Sequence, residues 1–395
     1  MTQNHGYDTP KEGTLDWHIP LNKNFERLER DVPVIDTEDT LDTYVPHSGA
    51  MFIATDTGRR YVGDGSAWTE LPYPTTTSND GSTSPTSSAN VVVSTNNGTV
   101  SATRDGTEFA SGSAENVFQS VMDSLVDGDH VLVESGSYVI NTSKWRNELK
   151  DITWESNGTI TLDDNGSWQG WMFAFWSCEN VTFKGGTYDW DRPNNTDDGR
   201  YGTQFILSVK RSTNVEITGT TLLNAEDGFI GGNDATFVTI HHNQMENSGE
   251  RGVYISGTAS DIEVHNNVIK GVRSGALRAN DAPTRWYSHD NEIVMDPSNY
   301  GPIYLFEGGT NDLRIENDRG ILKGTGEVLN MEWNGPNGEL NRNVTITGGY
   351  YEGSPDIDAQ YQKFADLRDT DLSTVTVSAE TEIVDLPVAH PEIHE

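Results

Sequence analysis

Phe237-Val-Thr-Ile-His241 is followed 24 residues later by Asp261-Ile-Glu-Val-His265, and after 24 more by Arg285-Trp-Tyr-Ser-His289. The second and fourth residues of each segment point one way and the others point the opposite way, the alternation of a short strand with one buried face. Phe237 and Ser288 depart from the polar-apolar alternation. Toward the N-terminus the pattern recurs at His130-Val-Leu-Val-Glu134, Asp151-Ile-Thr-Trp-Glu155, Asn180-Val-Thr-Phe-Lys184 and Asn214-Val-Glu-Ile-Thr218, and toward the C-terminus at Asp312-Leu-Arg-Ile-Glu316 and Asn343-Val-Thr-Ile-Thr347. The first apolar residues stand at 131, 152, 181, 215, 238, 262, 286, 313 and 344, giving spacings of 21, 29, 34, 23, 24, 24, 27 and 31. The shorter spacings fit a coil of three short strands with their turns at about 3.3 Å per strand residue. One coil cannot bury its inner face, but stacked coils share a continuous core. A second strand recurs at Gly252-Val-Tyr-Ile-Ser256, Gly275-Ala-Leu-Arg-Ala279, Pro302-Ile-Tyr-Leu-Phe306 and Val328-Leu-Asn-Met-Glu332, and Asn266-Asn267 and Gly348-Gly349 supply turns. The expected fold is all-β, a parallel β-helix over residues 113–353; a sandwich or propeller would not hold so regular a period.

Such a solenoid needs its open end covered. Just before the first coil, Val117, Val121 and Leu125 fall at i, i+4 and i+8 with Phe118 and Met122 alongside, one apolar face of a helix that Asp127-Gly128 ends. The helix leads into Gly128-Asp-His-Val-Leu-Val-Glu-Ser-Gly-Ser-Tyr138. This sequence resembles the capping helix and first coil of pectate-lyase-like right-handed β-helix proteins. The resemblance implies the right-handed fold and leaves the activity open.

Composition narrows the partners. The chain has 395 residues, 34% of them hydrophobic, and carries 61 acidic against 26 basic side chains for a net charge of −35. That field repels nucleic acid and anionic membranes. The acid is dispersed and Lys is scarce, which resembles proteins of extreme halophiles, where salt screens the self-repulsion. No apolar run reaches the 18 residues of a membrane span, and Met1-Thr-Gln-Asn-His-Gly-Tyr-Asp8 has neither the basic nor the apolar region of a secretory signal. Cys178 is alone and forms no internal disulfide.

Residues 1–71 are expected to form a small attachment module, residues 72–112 a Ser/Thr-rich linker and extended segment, and residues 354–395 a C-terminal extension. In Gly49-Ala-Met-Phe-Ile-Ala-Thr-Asp-Thr-Gly-Arg-Arg-Tyr-Val-Gly-Asp-Gly-Ser-Ala-Trp68, two alternating runs flank Asp56-Thr-Gly58, a hairpin signature. The segment is similar to a hairpin near the N-termini of phage tail fibres and related virion proteins. Module, linker and β-helix are the order of viral tail spikes, and a virion protein leaves by lysis without a secretion signal. The resemblance implies a homotrimeric spike on the virion surface, on tail or capsid, of a haloarchaeal tailed virus. Residues 1–71 would join it to other virion proteins, and it would bind host-surface glycan or glycoprotein during adsorption.

The rival reading is a polysaccharide hydrolase or lyase. Hydrolysis needs two carboxylates across the sugar, and Asp227 and Glu250, 23 residues apart, are the best candidate catalytic pair. Asn224-Ala-Glu-Asp-Gly228 is similar to the Asn-Thr-Asp turn of polygalacturonase-like hydrolases, although that family's Asp-Asp, Gly-His-Gly and Arg-Ile-Lys elements are missing. Candidate glycan-binding residues are Trp168, Trp171 and Trp190, in the Trp-rich stretch 145–190, with Arg251, Tyr254 and Arg278 on the strand edges. Trp faces stack on sugar rings, or pack the first coils and a trimer contact instead. His241, His265 and His289 form a column at the coil period, read as a stacked ladder in preference to a metal site, so no metal residues and no cofactor are assigned. Asp-rich turns such as 191–198 leave a structural Ca²⁺ or other cation open. A purely architectural virion protein and a cellular adhesin complete the alternatives.

Overall fold

The computed structural model describes residues 34–36, 38–46, 51–54, 60–63, 66–70, 89–167, 170–192, 204–331, 340–357 and 361–386. The chain divides into two compact units, residues 1–83 and 84–395. In the first unit, the strands Val34–Asp36, Met51–Ala54, Arg60–Gly63 and Trp68–Glu70 lie side by side in that order. Met51–Ala54 and Arg60–Gly63 are antiparallel, the arms of the expected hairpin; its turn, with Asp56 and Gly58, lies outside the described residues. Phe52 is fully buried. The rings of Tyr44, Tyr61 and Trp68 surround it at 5.7–6.1 Å.

The second unit is a right-handed parallel β-helix with three strands per coil. The first sheet stacks Thr213–Thr218, Thr236–His241, Ser260–His265, Thr284–His289, Asn311–Glu316 and Arg342–Thr347 in parallel. Their register aligns Val215, Val238, Ile262, Trp286, Leu313 and Val344, all buried, so the period read from the sequence is the coil. The second sheet holds short strands such as Gln244–Glu246, Val268–Val272 and Glu292–Met295. The third sheet has nine strands, from Lys144–Asn147 to Gln362–Asp366.

The solenoid is longer than residues 113–353. Val91–Asn96, Thr99–Arg104 and Thr107–Gly112 form an antiparallel ribbon, and Val91–Asn96 also pairs in parallel with His130–Val133. Val91 and Val93 are buried in the common core, so this stretch, read from the sequence as an extended segment, is a cap. At the other end Val375–Val377 and Glu382–Val384 extend the first and second sheets.

Helix α1 (Ala114–Ser124) covers the N-terminal end. Ser113 caps it by accepting from Asn116 N–H. Val117, Phe118, Val121 and Met122 bury their side chains in the core. Glu115 anchors the helix to the first coil. Its carboxylate accepts from Lys144 Nζ at 2.5 Å, from Thr142 Oγ1 at 2.5 Å and from Asn141 N–H at 2.8 Å. Lys144 is fully enclosed, and burial pushes its pKa down. Burial would raise Glu115, but these three hydrogen bonds outweigh it and hold the carboxyl below its ordinary range.

The bends explain the abundance of Asn, Asp and Gly. The residues that open the first-sheet repeats, Asp151, Asn180, Asn214, Phe237, Asp261, Arg285, Asp312 and Asn343, all have φ between 54° and 61°. At the far end of the same strands His242, Asn266, Asp290 and Asn317 are also left-handed. Asn and Asp tolerate this region because their side chains bond locally; a Phe there is strained. Behind the second bend runs a buried ladder. Asn243 donates to Asn267 Oδ1, Asn267 to Asn291 Oδ1 and Asn291 to Asp318 Oδ1, each from Nδ2 at 3.0 Å. No helix among the described residues is long and apolar enough to cross a membrane.

Candidate functional site

The outer face of the third sheet gathers most of the candidate residues. Register aligns Gly231, Tyr254, Arg278 and Leu305 on consecutive strands. Gly228 pairs with Arg251, which places Asp227 and Glu250 at equivalent corners one coil apart. The Arg251 guanidinium lies 4.9 Å from the Tyr254 ring centre, with Arg278 at 5.5 Å from the same ring. Phe205 and Tyr254 are parallel within 14° at 6.1 Å. Between them the floor is glycine by necessity: a Cβ on Gly231 would stand 2.3 Å from the Phe205 ring, and one on Gly228 2.6 Å.

Further toward the N-terminus on this sheet, Trp171 meets Trp176 at 4.3 Å and Trp145 meets Trp176 at 6.0 Å. Lys210 Nζ lies 5.9 Å from the Trp176 ring. From the strand of Trp145 to that of Leu305 there are six strand steps, about 29 Å at the usual 4.8 Å each. Aromatic faces, a flat glycine floor and arginines therefore lie along one strip of the solenoid.

The charges on this strip are arranged around Arg278. Glu250 bonds Arg251 at 3.1 Å and stands 4.0 Å from Arg278, while Glu307 lies 3.6 Å from Arg278 on its other side. Burial raises the Glu307 carboxyl above its ordinary range, against the opposing charge of Arg278. Arg251 is buried, and its Nε and Nη1 have no hydrogen-bond partner among the described residues. Asp227 accepts from Gln204 N–H at 3.0 Å, and its own carbonyl accepts from Ser248 Oγ. Exposed Tyr300 feels Glu250, Arg251 and Arg278, and partial desolvation, followed by Glu250, raises its pKa.

The sequence-derived residues therefore divide. Trp171, Arg251, Tyr254, Arg278, Glu250 and Asp227 all sit on or beside this face. Trp190 does not: it is fully buried in the core and offers no ring face to a sugar. It follows the second-sheet strand of a long coil, where alternation turns it inward. Trp168 lies outside the described residues, as do residues 193–198 of the Asp-rich turn. Glu307, Phe205 and Tyr300 went unnoticed because coils of unequal length hide their alignment. Their signal is positional: Glu307 directly follows Tyr304–Phe306, and Phe205 opens Phe205–Ser208.

A second cluster lies on the outer face of the first sheet. The rings of His241, His265 and His289 stack within 2° of parallel at 4.9 and 4.7 Å. Glu216 bonds His241 Nε2 at 2.9 Å, and Glu263 bonds His289 Nε2 at 3.1 Å. Burial lowers His289, but its bonds to Asp290 and Glu263 outweigh this and raise it; burial and the His289 charge lower His265. Beside the column, Asn180, Thr182, Asn214, Glu216 and Thr239 line a shallow concavity.

No family model matches the sequence, and no curated protein matches it. Solved structures with a similar chain path include the ORF18 protein of Geobacillus virus E2, 14% identical, covering 82% of this chain and 70% of that one at a TM-score of 0.44. A DFA-IIIase from Arthrobacter chlorophenolicus A6 without its lid is 12% identical, covering 70% and 87% at 0.46. A pectate lyase is 10% identical, covering 72% and 76% at 0.47.

Proposed function

We propose that this chain is a virion surface spike whose third sheet binds host-surface glycan. The observation that carries the reading is the strip itself: Tyr254 with two guanidiniums beside its ring, Phe205 laid over Gly228 and Gly231, and the Trp145–Trp171–Trp176 group on the same sheet. Rings stack on the apolar faces of sugars, and arginines bond hydroxyls and carboxylates. The N-terminal sheet ahead of the β-helix supports attachment to other virion proteins through residues 1–71. The acidic composition supports a high-salt setting of the haloarchaeal kind, and the spike architecture a homotrimer. Light scattering on the purified chain in multimolar salt, with retention on immobilised host-cell polysaccharide, tests the reading. A trimer retained by the polysaccharide, with retention lost in Tyr254→Ala, is expected; a monomer that no host polysaccharide retains overturns it.

One observation favours a hydrolase as the second reading. Glu307, raised by burial, and Glu250 both lie within 4.0 Å of Arg278, two carboxyl groups of the kind that glycoside cleavage needs. New reducing ends released from the retained polysaccharide, and lost in Glu307→Gln, would move the enzyme to first place.

A further inference from the structure

We propose that Glu263, His265 and His289 form a site for a divalent transition-metal ion, of the zinc type, on the outer face of the first sheet. One carboxylate oxygen and two imidazole nitrogens, all half-buried, lie within 4.8 Å of one another. Two imidazoles and a carboxylate are a donor set that borderline-soft divalent ions take.

The fold accounts for the convergence. Glu263 and His265 are two residues apart on one strand, so both face outward, and His289 is the register partner of His265 on the next. His289 is already oriented as a ligand. Its Nδ1 bonds Asp290 Oδ2 at 2.9 Å, which fixes the ring and turns Nε2 toward Glu263. A carboxylate behind the imidazole is the contact that orients metal-binding histidines. The 3.1 Å between His289 Nε2 and Glu263 Oε1 holds a proton in the metal-free chain. A tetrahedral ion with bonds of about 2.0–2.1 Å separates its ligands by about 3.3 Å, so the ion replaces that proton with almost no movement.

His265 completes the set. Its Nδ1 faces the Asn266 side-chain amide at 2.9 Å, and its Nε2 has no hydrogen-bond partner among the described residues. Turning over the Asn266 amide offers Oδ1 to Nδ1–H and leaves the Nε2 lone pair for the ion. The ring must then swing from its parallel setting toward Glu263, a side-chain rotation on a half-exposed surface. The rings of His265 and His289 are parallel at 4.7 Å, so the swing gives up one ring contact in exchange for a metal bond. Three protein ligands leave a fourth position to water or to an outside donor, the open form of such sites.

The test is calorimetric titration of the full chain, free of any polyhistidine tag, with Zn²⁺, repeated with Co²⁺ for its visible absorption. One ion per chain is expected, with affinity reduced by more than about tenfold in Glu263→Gln and in His265→Gln. His130→Gln, on an earlier coil, should bind as the unaltered chain does. Circular dichroism establishes that each variant keeps its strands. Absence of saturable uptake by the unaltered chain overturns the site, and so does uptake that both Glu263→Gln and His265→Gln retain in full.

Discussion

The Arg251 guanidinium carbon lies 4.9 Å from the centre of the Tyr254 ring, and its Nε and Nη1 have no hydrogen-bond partner among the described residues. A buried donor without an acceptor is costly, and in the proposed function a saccharide hydroxyl or carboxylate would supply what is missing. Arg251→Lys keeps the charge but loses the flat, forked donor. Retention on host polysaccharide should therefore weaken by about tenfold or more, the scale of one or two lost charge-assisted bonds. Unchanged retention would exclude Arg251 from the binding face.

Gly231→Ala tests the floor of the same strip. Its methyl would meet the Phe205 ring at 2.3 Å, so the ring must move out over the face. Weaker polysaccharide retention is expected, with a stability loss of about 1–3 kcal/mol from overpacking. Denaturant titration and retention together check it; a variant unchanged in both would mean that Phe205 does not lie on this strand in solution.

Lys144 and Glu115 connect the capping helix to the first coil. Removing the cation leaves a partly buried carboxylate with its strongest partner gone. Lys144→Ala should cost about 3 kcal/mol and lower the urea midpoint. Hydrogen exchange should show the loss concentrated at Ala114–Ser124 and Lys144–Asn147, because neighbouring coils carry their own contacts.

Asp318 ends the Asn ladder, and burial lifts its pKa to about 6, against hydrogen bonds from Ser288, Tyr304 and Asn291 that favour the anion. An unfolded carboxyl of this kind titrates near 3.8. Between those values the folded chain holds a proton that the unfolded chain has released, so this group's contribution falls as pH rises from about 4 to about 6. The difference is of order 3 kcal/mol. Asp318→Asn removes the titration, and its stability relative to the unaltered chain should rise across that window. Urea midpoints at the two ends of the window measure it, and a constant gap between the proteins would refute the assignment.

Phe237 sits at φ 54° with more than half its surface exposed. Asn occupies the same corner at 180, 214 and 343. Phe237→Asn should therefore stabilise the chain by about 0.5–1 kcal/mol, read as a higher urea midpoint.

These residues also show what could be read before the structure. The coil period was legible because Val238, Ile262 and Trp286 must all face one core, and a strand cannot slip by one residue without turning them out. The strip was partly legible, since Tyr254 and Arg278 lie on a visible strand edge. Glu307 and Phe205 were not, because their alignment depends on insertions between strands that no period reveals. Trp190 misled for the opposite reason: a large ring in a long insertion can as easily fill the core as leave it, and composition alone does not say which. The Asn ladder was hidden by the general abundance of Asn.

The direction of the hydrogen bonds has a mechanical consequence. Among the described residues of the second unit the coil strands lie across the long axis, so the bonds between coils point along it. Tension applied along the axis loads the interfaces in series, and the weakest one separates first, while compression presses ladder and core columns more closely together. A rod built this way withstands being pushed against a surface better than being drawn from it.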